Sequence, residues 1–126
     1  MEPGIELDDL VATKVMGWKW NHKKNWYDTP DNSPRYGYTA EDGYYSGLGG
    51  VPFSRSISAA LEVVEHIKRD YFCFDLLWSG KNEKWQCIFP QKNDPKNYMG
   101  EQKPVFSDTP AHAICIAALR AKGFDV

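Results

Sequence analysis

Residues 71–90 constrain the fold more than any other stretch of the chain. Tyr71, Phe72, Cys73, Phe74, Leu76, Leu77 and Trp78 form a dense run of aromatic and branched residues. Ser79-Gly80-Lys81-Asn82-Glu83 is turn chemistry, and beyond it Trp85, Cys87 and Phe89 alternate with Gln86 and Ile88. Side chains alternate between the two faces of a strand, so two such runs about a short turn read as an antiparallel hairpin. Residues 91–100 read as a polar loop, and residues 103–107 as a third strand.

Three helices surround this hairpin in sequence. Over residues 6–16 the apolar positions Leu7, Leu10, Val11 and Val15 recur at helical spacing. Asp8 and Asp9 open that helix, Lys14 lies near its end and Gly17 stops it, as the helix dipole and C-cap chemistry favour. A second helix starts at Ser54 or Ser56 and buries Ile57, Ala60, Leu61, Val64 and Ile67. A third starts with Thr109 as N-cap and Pro110 in the first turn, presents Ala111, Ile114, Cys115, Ala118 and Leu119, and ends at Gly123. Between the first two helices, two aromatic runs at 18–20 and 26–28 flank a polar turn. They predict a β-hairpin in which Trp18, Trp20 and Trp26 share a face.

The order predicts an α+β fold: one domain over residues 1–126, with three helices packed on a mainly antiparallel sheet as an α/β/α sandwich. The exception is the Gly-, Pro- and Tyr-rich stretch at about 29–52. A loop of that length in a compact domain is usually functional or held by a partner.

With 15 Lys and Arg against 17 Asp and Glu, the net charge of −2 argues against a protein that coats long nucleic acid. Two or three well-placed cations would still suffice for a small anion. No apolar run is long enough for a membrane span, and the acidic opening is unlike a secretory signal. A soluble protein that stays where it is made is expected, with no membrane partner. The three cysteines are widely spaced and read as buried thiols. Five Trp, seven Tyr and six Phe make up 14% of the chain, more than a small core requires.

Catalytic signatures are missing from the sequence. There is no P-loop, no Gly-x-Ser-x-Gly, no His-Glu-x-x-His and no Cys-x-x-Cys, and His22, His66 and His112 are scattered. Asp8 and Asp9 are adjacent rather than convergent and read as solvated charge. No cofactor, no metal and no enzymatic activity are expected. Arg55 follows a glycine-rich run and precedes a helix, where backbone N–H groups and the dipole attract anions. An ordinary cap after a linker accounts for it equally.

Three segments carry a resemblance. They are Leu7-Asp8-Asp9-Leu10-Val11-Ala12-Thr13-Lys14-Val15-Met16-Gly17-Trp18, then Pro52-Phe53-Ser54 with Ile57-Ser58-Ala59-Ala60-Leu61-Glu62-Val63-Val64-Glu65, and Thr109-Pro110-Ala111-His112-Ala113-Ile114-Cys115-Ile116-Ala117-Ala118-Leu119. Together they resemble the phage ABA-sandwich family of phage and prophage proteins. The chain is also similar to the Thoeris anti-defence sponges, which bind a cyclic ADP-ribose isomer made by host TIR enzymes without degrading it.

The resemblance implies a phage-encoded homo-oligomer, made in the cytoplasm of the infected bacterial host, whose partner is a cyclic nucleotide second messenger. Pockets of that kind set aromatic rings against the base and arginines against the pyrophosphate. Carried onto this chain, Trp18 and Phe89 are stacking candidates, Arg55 a phosphate ligand and Asn97 a hydrogen-bonding group for base or ribose. Where family members often carry an arginine in the last helix this chain has Ile116, so His112 or Arg120, and more weakly Lys122, are the substitutes. Plain core packing is the competing account of each aromatic. The alternative function is inhibition of a host protein by direct binding.

Overall fold

A computed structural model describes residues 1–24, 26–30, 38–39, 44–45, 51–68, 74–90 and 103–126, with backbone pairing alone for 38–39 and 44–45. The elements in chain order are α1 (Ile5–Leu10) running into a π-helical turn (Val11–Val15), β1 (Lys19–Asn21), β2 (Trp26–Asp28), β3 (Tyr38–Thr39), β4 (Tyr44–Tyr45), α2 (Ile57–Ile67), β5 (Asp75–Ser79), β6 (Lys84–Ile88), β7 (Val105–Ser107) and α3 (Pro110–Ala121). The fold is a small α+β sandwich with antiparallel sheets, as the sequence predicts.

The sheet core is β5-β6-β7, antiparallel throughout. Leu76, Cys87 and Val105 fall in one cross-strand row, and Leu77, Gln86 and Phe106 in the neighbouring row on the opposite face. Cys87 and Val105 are buried, whereas Leu77 and Phe106 are 47% and 45% exposed. The sheet therefore has one face in the core and one outside. The predicted strand at 71–78 appears as β5 from Asp75, and residues 69–73 lie outside the described residues.

The α3 helix packs on α2, on β6 and β7, and on the π-helical turn. That central position explains why Ala113, Ile116 and Ala117 are buried as well as the predicted stripe. A helix surrounded on most sides is apolar nearly all round, and its alanines let the neighbours approach closely. Its N-terminus is as the sequence predicts, with Thr109 accepting from His112 N at 3.3 Å. For α2 the cap is Ser56, which accepts from Ala59 N at 3.4 Å.

The first helix departs from regular geometry. Met16 N donates to Val11 O at 3.0 Å and Trp18 N to Ala12 O at 2.9 Å, spacings wider than those of an α-helix and its usual cap. Gly17, at φ +74°, reverses the chain there.

The ribbon β1–β2 corrects one expectation. Asn21 Oδ1 accepts from Lys23 N at 3.0 Å and Lys24 N at 3.1 Å, starting the turn at Asn21 and pairing Asn21 with Trp26. Trp20 then lies opposite Tyr27, so Tyr27 shares the face of Trp18 and Trp20, while Trp26 points to the other. Within the predicted 29–52 loop, Tyr38–Thr39 pairs with Tyr44–Tyr45, so part of the stretch is a β-ribbon.

Candidate functional site

A pocket of about 470 Å³ lies between the end of β6, the segment leading into β7, and the last turn of α3. Its volume is that of a small-molecule site. The floor is apolar. Cys87 and Val105, paired across β6–β7, meet Ala117, where a small side chain leaves space. Phe89 also lines it, 2% exposed and stacked on Phe74 with ring centroids 5.2 Å apart. Burial, aided by Asp75, pushes the Cys87 thiol up to about 12, so at neutral pH the floor carries no thiolate.

The rim is charged. Lys103 comes from the strand side, Arg120 from α3, and Asp125 from beyond the helix. A Schellman turn brings Asp125 there: Phe124 N donates to Leu119 O and Gly123 N to Arg120 O, both at 3.0 Å, with Gly123 at φ +94°. Arg120 Nε and Nη2 donate to Val126 O at 3.3 and 3.0 Å, which holds the guanidinium at the rim. Among the described residues, no ion pair engages Lys103, Arg120 or Asp125.

Of the six residues singled out in the sequence, the structure brings Phe89 and Arg120 together in this pocket. Asn97 lies outside the described residues. Trp18 is elsewhere, 6% exposed, its ring 5.8 Å from Tyr27 and 5.5 Å from Phe53. Its packing partners are the ribbon and the segment before α2. His112 uses both ring nitrogens: Nδ1 is 2.5 Å from Ser107 Oγ, and Nε2 is 2.7 Å from Met1 O. Ile116, at the position of the family arginine, is buried in the core.

Arg55 faces an anion belonging to the chain itself. Its Nη2 lies 2.8 Å and its Nε 3.3 Å from Asp8 Oδ2. Asp8 Oδ1 accepts from Ser54 N at 2.7 Å and Ser54 Oγ at 2.6 Å, and Gly4 N donates to Ser54 Oγ at 2.9 Å. The neighbouring Asp9 accepts from the Tyr27 hydroxyl. Burial, then the Asp9 contact, raises the Tyr27 pKa well above the usual phenol range. The two carboxylates that read as solvated in the sequence thus bind the start of α1 to the segment before α2 and to the ribbon.

The pattern of helices on an antiparallel sheet matches a known domain type. The model of the phage ABA sandwich domain covers residues 9–119. The chain belongs to this family. A crystal structure of a phage protein from Bacillus cereus ATCC 14579 has the same fold: TM-score 0.65 and 21% identity, over 100% of this chain and 92% of that one. No curated protein matches the chain.

Two rim residues of this phage ABA sandwich protein, Lys103 and Asp125, escape sequence reasoning. The only local signals are a lysine opening a strand and an acid just past a helix stop. Neither indicates that the two meet at one pocket. Among the described residues no group of three or more His, Cys, Asp or Glu is placed to hold a metal, and no helix is long and apolar enough to cross a membrane.

Proposed function

We propose that this protein is a phage-encoded anti-defence protein that binds and sequesters a cyclic nucleotide immune signal, a cyclic ADP-ribose isomer of the Thoeris type, without degrading it. One observation carries the proposal: Phe89 and Arg120, far apart in sequence, line one pocket with an apolar floor and a charged rim. A nucleotide needs both, an apolar wall for the base and cations for the phosphates. Arg120, not Arg55, is the arginine that lines the pocket, whereas Arg55 is paired with Asp8. Binding rather than turnover is favoured by the groups nearest to chemistry. The Cys87 thiol stays protonated, and His112 has both nitrogens engaged.

The exposed row of Leu77 and Phe106 fits assembly into a homo-oligomer in the cytoplasm of the infected host. The same row favours the second reading, direct binding to a host protein.

The test is to incubate the pure protein with lysate from TIR-signalling cells, wash it by filtration, denature it with heat and identify the released small molecules by mass spectrometry. An intact cyclic nucleotide released only on heating is the expected result. An altered nucleotide would make the protein an enzyme. Release of nothing, with a host protein retained by the wild type and lost on Leu77→Asp, would favour the second reading.

A further inference from the structure

The geometry points to a charge-selective rim: Lys103 and Arg120 attract the phosphates of the ligand, while Asp125 accepts from its hydroxyl or amino groups and moderates the pull on triphosphates. This rests on the sequestering function proposed above and specifies which nucleotides the pocket admits. Elsewhere in the described structure three ion pairs form between close neighbours in space: Asp8 with Arg55, Glu65 with Lys68, Lys84 with Asp108. At the pocket, two cations and a carboxylate line one opening without pairing with each other. Charges oriented around a cleft set the local potential that an incoming ligand meets.

The composition of the rim defines the ligand. Two cations would suit any polyphosphate, and the more anionic the better. The carboxylate moderates that trend: it leaves one net positive charge, so each additional phosphate gains less than it would from the two cations alone. It also supplies an acceptor without a donor of its own, which a ribose hydroxyl or a base amino group satisfies. The favoured class is a nucleotide with few phosphates and abundant hydroxyl groups.

Calorimetric titration with two probes, ADP-ribose as the diphosphate and ATP as the triphosphate, tests the rim on the intact protein. Wild type is expected to bind ADP-ribose more tightly than ATP. Asp125→Asn should narrow that preference about fivefold by strengthening ATP binding, and Lys103→Gln should weaken both probes about fivefold, effects of the size of one partly solvated charge contact. Both side chains are exposed, so the variants should fold like wild type, which a melting curve verifies. An unchanged preference in Asp125→Asn would overturn the rim while leaving sequestration standing. Binding of neither probe by wild type would also overturn it, and if the heated protein releases no nucleotide either, both proposals fail.

Discussion

The charged cluster at Asp8 and the charged rim of the pocket use the same residue types to opposite ends. At Asp8, a buried carboxylate accepts from Ser54 N, Ser54 Oγ and Arg55, so every charge and donor is answered inside the chain. At the pocket, Lys103, Arg120 and Asp125 share an opening with no ion pair among them. The first arrangement holds segments together, with its carboxylate filled by the chain's own donors. The second contributes little to holding the fold and is open. An arginine beside a helix start is therefore a poor guide to an anion site until the chain's own carboxylates have been placed.

Alkali should have the largest effect, and it reaches both regions: Tyr27 beside the acidic cluster and Cys87 beneath the pocket. Tyr27, Cys87 and Cys115 all hold their protons more tightly in the folded state than in the unfolded chain, chiefly through burial. A raised folded pKa gives stability that is complete below the unfolded value and is lost as pH rises towards the folded one. For Cys87 that window runs from the ordinary value of 9.0 up to about 12. Titration followed by near-ultraviolet circular dichroism should show cooperative unfolding within it. A drop in the tyrosinate signal at pH 10 on Tyr27→Phe, in a protein that is still folded, would contradict the Tyr27–Asp9 contact.

Next in size is Asp8→Ala, which leaves Ser54 N, its hydroxyl and the Arg55 guanidinium without their shared acceptor. Breaking a buried charged network in this way costs about 3 kcal/mol. Urea denaturation should report that loss, with ADP-ribose affinity unchanged under conditions where the variant stays folded.

The smallest effects sharpen the contrast most directly. Arg55→Gln should cost about 1 kcal/mol of stability, since its side chain is partly solvated, and leave ligand affinity alone. Arg120→Gln should do the reverse: a stability change within about 0.5 kcal/mol, as for an ordinary surface site, and about tenfold weaker ADP-ribose binding, the scale of one charge-assisted contact. Equal effects of the two substitutions on affinity would remove the distinction between the regions.

What the sequence shows well is what depends on neighbours in the chain. The caps at Ser56 and Thr109, the stops at Gly17 and Gly123, and the alternation of Trp85 and Cys87 are local signals, and each appears where expected. One error is local: of the stripe expected on α2, Ile57 and Leu61 are exposed, and Ala59 and Val63 are buried beside Ala60, Val64 and Ile67 instead. The others lie where distant contacts decide. Trp26 changes face because Asn21 sets the turn register. Asp8 is buried because Ser54, 46 residues away, reaches it. For the site, Phe89 and Arg120 were identifiable from the resemblance, but Lys103 and Asp125 required the folded path of the chain around Gly123.

The widened turn at Val11–Val15 has a mechanical consequence. A π turn amounts to one residue more than the regular spiral can hold, and each residue of an α-helix advances the azimuth by about 100°. That surplus works as a phase setting between the two ends of the first helix. Asp8 is aimed at Ser54 and Asp9 at Tyr27, while Trp18, past the turn, meets Phe53 and Tyr27. Forcing 11–15 into a regular spiral with every residue retained would swing its acidic end about a quarter turn relative to the tryptophan. The extra residue is thus an indexing pin, and it keeps both ends of the helix aligned with one set of partners.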